Sequence, residues 1–436
     1  MKRPIVIALL VIALAFVCLG IGAVIFFAAN DGFRTNNPFD RRNISSVLEE
    51  SKTLKVDTKK SLTLKVIDQA GGVTITGADV DAVTLKVVKT AYDSSQARAD
   101  AEVKSVKYTI EQTGNTITLK YEIPKSMNFS NNVNTVDFVV MIPHEVTVDV
   151  NDNMGKVSVA STKGKVTIRN DFGDVTLENL EGALSVKTNS GEVSATSITA
   201  GSDNIDLSSD FGAVILKKAS GKDISLDSNS GAITLSEVRA TRNLTTNTDF
   251  GDTTFDNGSA DSLHTETNSG KVSLGKLMIS KQIFVKDDFG DIELEQAMAP
   301  AYDLHTNSGG ITIDGAKADL KAHTDFGNIK ITNAELVTLD LKTNSGSVEF
   351  SGSLGDGPHT VESDFGGIDL TLPADSKLNV DLKTDFGTIK SDLPVMVMLN
   401  QTSNSNGDQI VGSINDGGEQ LTVHTKSGGV DIHAGK

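Results

Sequence analysis

Tryptophan is absent from these 436 residues, tyrosine occurs only 4 times, and aromatic residues total 5%. So little aromatic volume excludes a large globular core and suits thin coils of short strands. The single cysteine, Cys18, excludes an intrachain disulfide and any cysteine-based metal site. Positive charge is also scarce: 40 Lys and Arg against 57 Asp and Glu leave a formal net charge of −17. That balance excludes nucleic acid as a partner, because phosphate binding needs clustered cations. It equally disfavours docking on anionic lipid headgroups. Length alone would permit roughly two or three domains or one long array.

Glycine is plentiful, at 39 residues, and its placement decides between those options. Asp-Phe-Gly ends at Gly173, Gly212, Gly251, Gly290, Gly327, Gly366 and Gly387, while Asn-Ser-Gly ends at Gly191, Gly231, Gly270, Gly309 and Gly346. The two alternate at intervals of about 20 residues, the mark of one structural unit stacked many times. Seven and five residues before each glycine lie apolar pairs such as Leu184 and Val186, or Ile205 and Leu207. Two and four residues after it come Val175 and Leu177, or Val214 and Leu216. Both are period-two strands with one buried face, and Leu180, Ile198, Ala219 and Ala316 offer a third inward contact. A glycine between the strands marks a corner needing positive φ or close packing.

The expected fold is therefore all-β, a parallel β-solenoid of about fourteen rungs, roughly 65 Å long at ~4.8 Å per rung. It occupies residues 151–436, with motifs that degrade at Gly407 and Gly428. Residues 54–150 alternate less regularly and read as a β-rich cap, with a short helix expected within Ser94–Val106. Ahead of them, Lys2 and Arg3 precede 25 uncharged residues, Ile5–Ala29, long enough to span a bilayer. Residues 1–30 thus read as an uncleaved signal anchor and 31–53 as a polar linker, placing the C-terminal body outside the membrane.

The alternation suggests a packing code. Three residues before the glycine the chain is almost uniformly hydroxylated, as at Thr188, Ser209, Ser228, Thr248 and Thr343, so these groups should bond along their column or to the corner backbone. Continuing the period of two puts Phe172, Phe211, Phe250, Phe289, Phe326 and Phe365 inside, each leaning over the serine of the next rung. On that expectation Phe250→Ala costs roughly 3–5 kcal/mol. Asn between successive Asp residues should donate amide hydrogen bonds to them and relieve their repulsion. Phe386 follows Phe365 with no serine rung between, which predicts local crowding.

Chemistry is harder to find. Asp-Phe-Gly occurs in protein kinases once, with companion motifs that are missing here. Calcium is a stronger rival, since Asp171 with Asp174, Asp249 with Asp252, and Asp288 with Asp291 place paired carboxylates around a turn. Ala213, Asn328, Gly367 and Thr388 replace the second carboxylate elsewhere, so these residues read as turn stabilisers. His305, His323 and His424 share an outward parity with Lys187, Lys342 and Lys383 and read as solvated. No catalytic set and no cofactor site emerges, and the even coils lack the long loops that polysaccharide-active β-helix enzymes use to build clefts.

Gly71-Gly72-Val73-Thr-Ile75, the insert near Ala97–Val106, Met141-Ile-Pro143 with Val146-Thr-Val-Asp-Val150, and the serial Gly-x-Val/Ile turns together resemble the bacterial "putative adhesin" domain family. The resemblance covers about Leu54–Ile432 and implies a β-strand-repeat surface protein without catalytic residues. The expected function is a membrane-anchored, extracytoplasmic structural or adhesive module that contacts an envelope glycan or protein. An envelope-stress sensor or scaffold is the alternative, and a polysaccharide-active enzyme the third.

Overall fold

The computed structural model describes residues 44–124, 133–402 and 407–435. Among them no helix is long and apolar enough to cross a membrane; the span expected at 5–29 lies outside the described residues. The described residues form an all-β parallel solenoid of ~20-residue coils with one short helix.

Each coil contributes one strand before its glycine and one after it. The first strands stack in register, as in Val166↔Leu184 and Ile168↔Val186, then Leu184↔Ile205. The second strands do the same, with Val175↔Val193 and Val193↔Val214. The expected apolar positions are buried: Leu184, Ile205, Val175 and Val214 are at most 1% exposed, and Leu180, Ile198, Ala219 and Ala316 complete the interior.

Two corners close the coil. At the first, the glycine is required by close approach: a Cβ on Gly231 would collide with the carbonyl oxygen of Gly212 one rung below. The second, six residues later, is left-handed at Asn179, Ser197, Lys218, Glu237 and Lys276, with φ between 52° and 59°. None of these five is glycine, but Gly315 and Gly352 take the same place in two later rungs, and Asn257 and Asn333 in two others.

Both ends depart from the stack. At the N-terminal end the strand Leu62–Asp68 lies on Val146–Met154, and Val73–Ala78 lies on Val157–Ala160. Above them Ala82–Asp93 runs antiparallel to Thr135–Pro143. Helix Gln96–Ser105 falls where expected and buries Ala99 and Val103. Residues read as linker are partly strand, because Ile44–Lys55 pairs antiparallel with Ala82–Asp93 and packs Leu48 and Leu54 against the core.

At the far end the expected simple succession of about fourteen rungs is not realised. Strand Glu419–Ser427 inserts between His359–Phe365 and Leu378–Phe386. Gly407 is not a rung corner: Asp408–Ile414 runs antiparallel to Leu378–Phe386 and to Val395–Thr402. Among the described residues an antiparallel hairpin thus covers the outer edge of Leu378–Phe386.

Candidate functional site

The phenylalanines expected in the interior are outside. Phe172, Phe211, Phe250, Phe289, Phe326, Phe365 and Phe386 are 56–66% exposed. The cause lies two residues before each glycine. Paired positions step from Asn170↔Thr188 to Phe172↔Ser190, passing over Asp171; the same omission recurs from Thr248↔Thr267 to Phe250↔Ser269. The strand already bends there, so counting by twos fails one residue before the ring.

What turns inward last is the hydroxyl column. Ser228 Oγ donates to Gly212 O at 3.0 Å, Thr324 Oγ1 to Gly309 O at 2.9 Å, and Thr343 Oγ1 to Gly327 O at 2.9 Å. Each of these hydroxyls thereby satisfies the carbonyl of the glycine corner one rung below, the second of the two expected uses, whereas among the described residues Thr188 Oγ1 and Thr267 Oγ1 find no partner.

Three corners carry a carboxyl in place of that hydroxyl: Asp68, Asp152 and Asp287, each 1% exposed. Burial is the main reason that the first rises to about 8, with the Asp152 charge adding to it. Asp152 is pushed up to about 7, again chiefly by burial. Asp287 rises to about 6 by burial, with Asp288 and Asp291 contributing. Among the described residues Asp68 Oδ2, both Asp152 carboxyl oxygens and Asp287 Oδ2 have no hydrogen-bond partner. Only the protonated acid can donate as the threonines do. These perturbed groups are sealed in the core, out of reach of any substrate.

The exposed corner is well ordered by polar bonds between rungs. Asn307 Nδ2 donates to Asp288 Oδ1 at 3.0 Å, and Asn344 Nδ2 to Asp325 Oδ1 at 2.7 Å, as the Asn/Asp alternation predicts. Asp174 accepts from the Glu192 amide at 3.0 Å, Asp252 from Lys271 at 2.8 Å, and Asp291 from Gly310 at 2.8 Å. Asp171 and Asp249 stand exposed at their corners. Among the described residues no group of three or more His, Cys, Asp or Glu is arranged to hold a metal ion. His305 and His323 are engaged by Asp303 at 2.6 Å and Asp340 at 3.1 Å.

Two polar grooves lie along the phenylalanine column, at successive stretches of the stack. One, of about 230 Å³, is lined by Asp210, Asn229, Asp249, Asn268 and Asp288. The other, of about 790 Å³, lies on the opposite side of the corner along Asp291, Ser308, Gly310, Phe326 and Asn328. Exposed rings with open polar grooves beside them form a contact strip rather than a closed pocket.

No curated protein matches the chain. A structure described as a putative cell adhesion protein from Clostridium sporogenes aligns at 9% identity, over 89% of this chain and 100% of its own, with a TM-score of 0.18. One described as a putative adhesin from Bacteroides fragilis aligns at 15% identity, over 65% and 97%, with a TM-score of 0.30. One described as a putative lipid binding protein from Parabacteroides distasonis aligns at 14% identity, over 70% and 96%, with a TM-score of 0.20. At those scores the likenesses carry no argument about this chain. The family profile does, because it matches twice in succession, over residues 73–257 and 256–433. The chain belongs to the Toastrack family, DUF4097.

Proposed function

We propose that the chain is a non-enzymatic binding module of the cell envelope, anchored through residues 5–29 with its solenoid on the extracytoplasmic side. The observation that carries this reading is the exposed phenylalanine column. Monomeric proteins seldom leave large apolar groups in a contiguous line unless something covers them. Here seven rings recur along the stack at more than half exposure. Many weak, identical contacts along a rigid rod give avidity to a repetitive target and nothing to a small isolated ligand. The burial of the perturbed carboxylates, each 1% exposed, is consistent with a binding role.

The test is surface labelling of cells that produce the full-length chain, paired with attachment of a deletion strain. Labelling of intact cells and reduced attachment are expected. A protein inaccessible from outside, or a deletion strain that attaches normally, would overturn the reading.

A further inference from the structure

The corner column keeps strict order along its whole length. Counting by rung it reads Phe172, Ser190, Phe211, Ser230, Phe250, Ser269, Phe289, Ser308, Phe326, Ser345 and Phe365, then Ser427 and Phe386. Rings therefore recur every second rung, about 9.6 Å apart, over about 60 Å. Beside each ring stands an aspartate, and beside each serine of the regular array an asparagine. Among the described residues the ring pairs are Tyr108–Phe138, His264–Phe284 and His305–His323, so none of the seven rings is satisfied by another aromatic.

We infer that this ladder binds a neutral, linear β-1,4-linked polysaccharide laid along the solenoid axis, an assignment that rests on the binding-module reading above. In such a polymer each sugar is flipped relative to the next, so the same ring face recurs once per disaccharide. One sugar per rung then sets an apolar C–H face on each phenylalanine. The intervening sugar lies over serine, which leaves room for its substituents. Hydroxyl groups along the polymer edge donate to carboxylates such as Asp210, Asp249 and Asp288 in the adjoining groove, in charge-assisted hydrogen bonds. Asn229 and Asn268, in the same groove, supply donors as well as acceptors.

Charge selects among occupants. A polyanion would meet an aspartate at every phenylalanine rung on a chain of net charge −17, and anionic lipid would meet the same barrier. A second copy laid face to face would bring two aspartate columns together. A neutral polyhydroxylated chain has no such penalty and uses the carboxylates.

The test measures retention of the purified full-length chain on chitin and cellulose, with competition by chitohexaose, cellohexaose, maltohexaose and polygalacturonate. Retention on at least one β-1,4-linked solid is expected, displaced by its own hexasaccharide and not by the α-linked or anionic competitors. The triple variant Phe211→Ser, Phe250→Ser, Phe289→Ser should lose at least tenfold in affinity with its melting midpoint held. If that variant fails to fold, the single change Phe250→Ser reads the same loss on a smaller scale. No retention, retention indifferent to these substitutions, or competition by polygalacturonate overturns the inference. So does a ring-dependent dimer, or ring-dependent capture by phosphatidylcholine vesicles, without glycan binding. Binding to isolated cell envelopes without β-1,4-glycan binding sinks this inference alone; binding to neither sinks the module reading too.

Discussion

Ser427 is the parallel rung neighbour of Phe365, although Phe386 lies between them in the chain. On its other side Ser427 pairs with Phe386 itself. The strand Glu419–Ser427 has slipped between two phenylalanine rungs, so the crowding expected of Phe365 and Phe386 does not arise. The hydroxyl column records the same insertion, with Thr425 donating to Gly366 O and Thr384 to Gly428 O. The alternation is thus kept in space where the chain order breaks it.

Two phenylalanines five residues apart should respond oppositely to truncation. Phe255 is 1% exposed and Phe250 64%. Phe255→Ala is expected to cost about 3–5 kcal/mol, and Phe250→Ala less than about 1 kcal/mol. Urea unfolding of both variants checks this; equal losses would return the ladder to the interior.

The first corner should reject any side chain. Gly231→Ala drives a methyl into the carbonyl of Gly212 and is expected to cost about 1–3 kcal/mol or more. At Gly114 a Cβ meets nothing within 4 Å, but φ is +60°, so Ala there should cost only about 1 kcal/mol. Thermal melts of the two variants would show the order.

At the second corner the direction reverses. Glu237 sits at φ 56°, a conformation that costs an L-residue about 1–2 kcal/mol. Glu237→Gly should relieve part of this and leave the midpoint unchanged or slightly raised, since glycine also gains entropy when unfolded. A clear destabilisation would mean that the Glu237 side chain makes a contact worth more than the strain.

Asp68, Asp152 and Asp287 give the fold a pH dependence with a definite sign. Their folded values, about 8, 7 and 6, lie above the ordinary aspartate value of 3.8, so the native state holds more protons than the unfolded chain between those limits. Their contribution is fully present near pH 4 and is lost as pH rises through each folded value. Asp287→Thr, which restores the column's usual hydroxyl, should stabilise at pH 8 by about 1–3 kcal/mol and have little effect near pH 4. Chemical unfolding at the two pH values checks this; the same effect at both would place the cause elsewhere.

The sequence disclosed what repeats and concealed what bends. Apolar pairs around each glycine, such as Ile205 with Leu207 and Val214 with Leu216, name their own buried face, because burial on a strand follows a strict period of two. The helix at Gln96–Ser105 and the Asn344–Asp325 bond were legible for similarly local reasons. Phe250 was misread because the bend begins at Asp249, and a bend resets the parity that the argument extends. The left-handed corner at Lys218 and Glu237 leaves only a partial trace, Asn179, Asn257, Asn333, Gly315 and Gly352 at the same place in other rungs, since its side chains face solvent and other residues bear the strain. The insertion of Glu419–Ser427 is a long-range choice; its one local sign is the missing serine between Phe365 and Phe386. Asp68, Asp152 and Asp287 were visible as exceptions in the hydroxyl column, three residues before Gly71, Gly155 and Gly290.

The central claim is that the Phe/Ser ladder is the working surface of this solenoid. Binding of the full-length chain to isolated cell envelopes, measured for the natural sequence and for the Phe211, Phe250 and Phe289→Ser variant, tests it most directly. The account predicts that binding falls at least tenfold while the melting midpoint stays within a few degrees. Undiminished binding by a folded variant would contradict it.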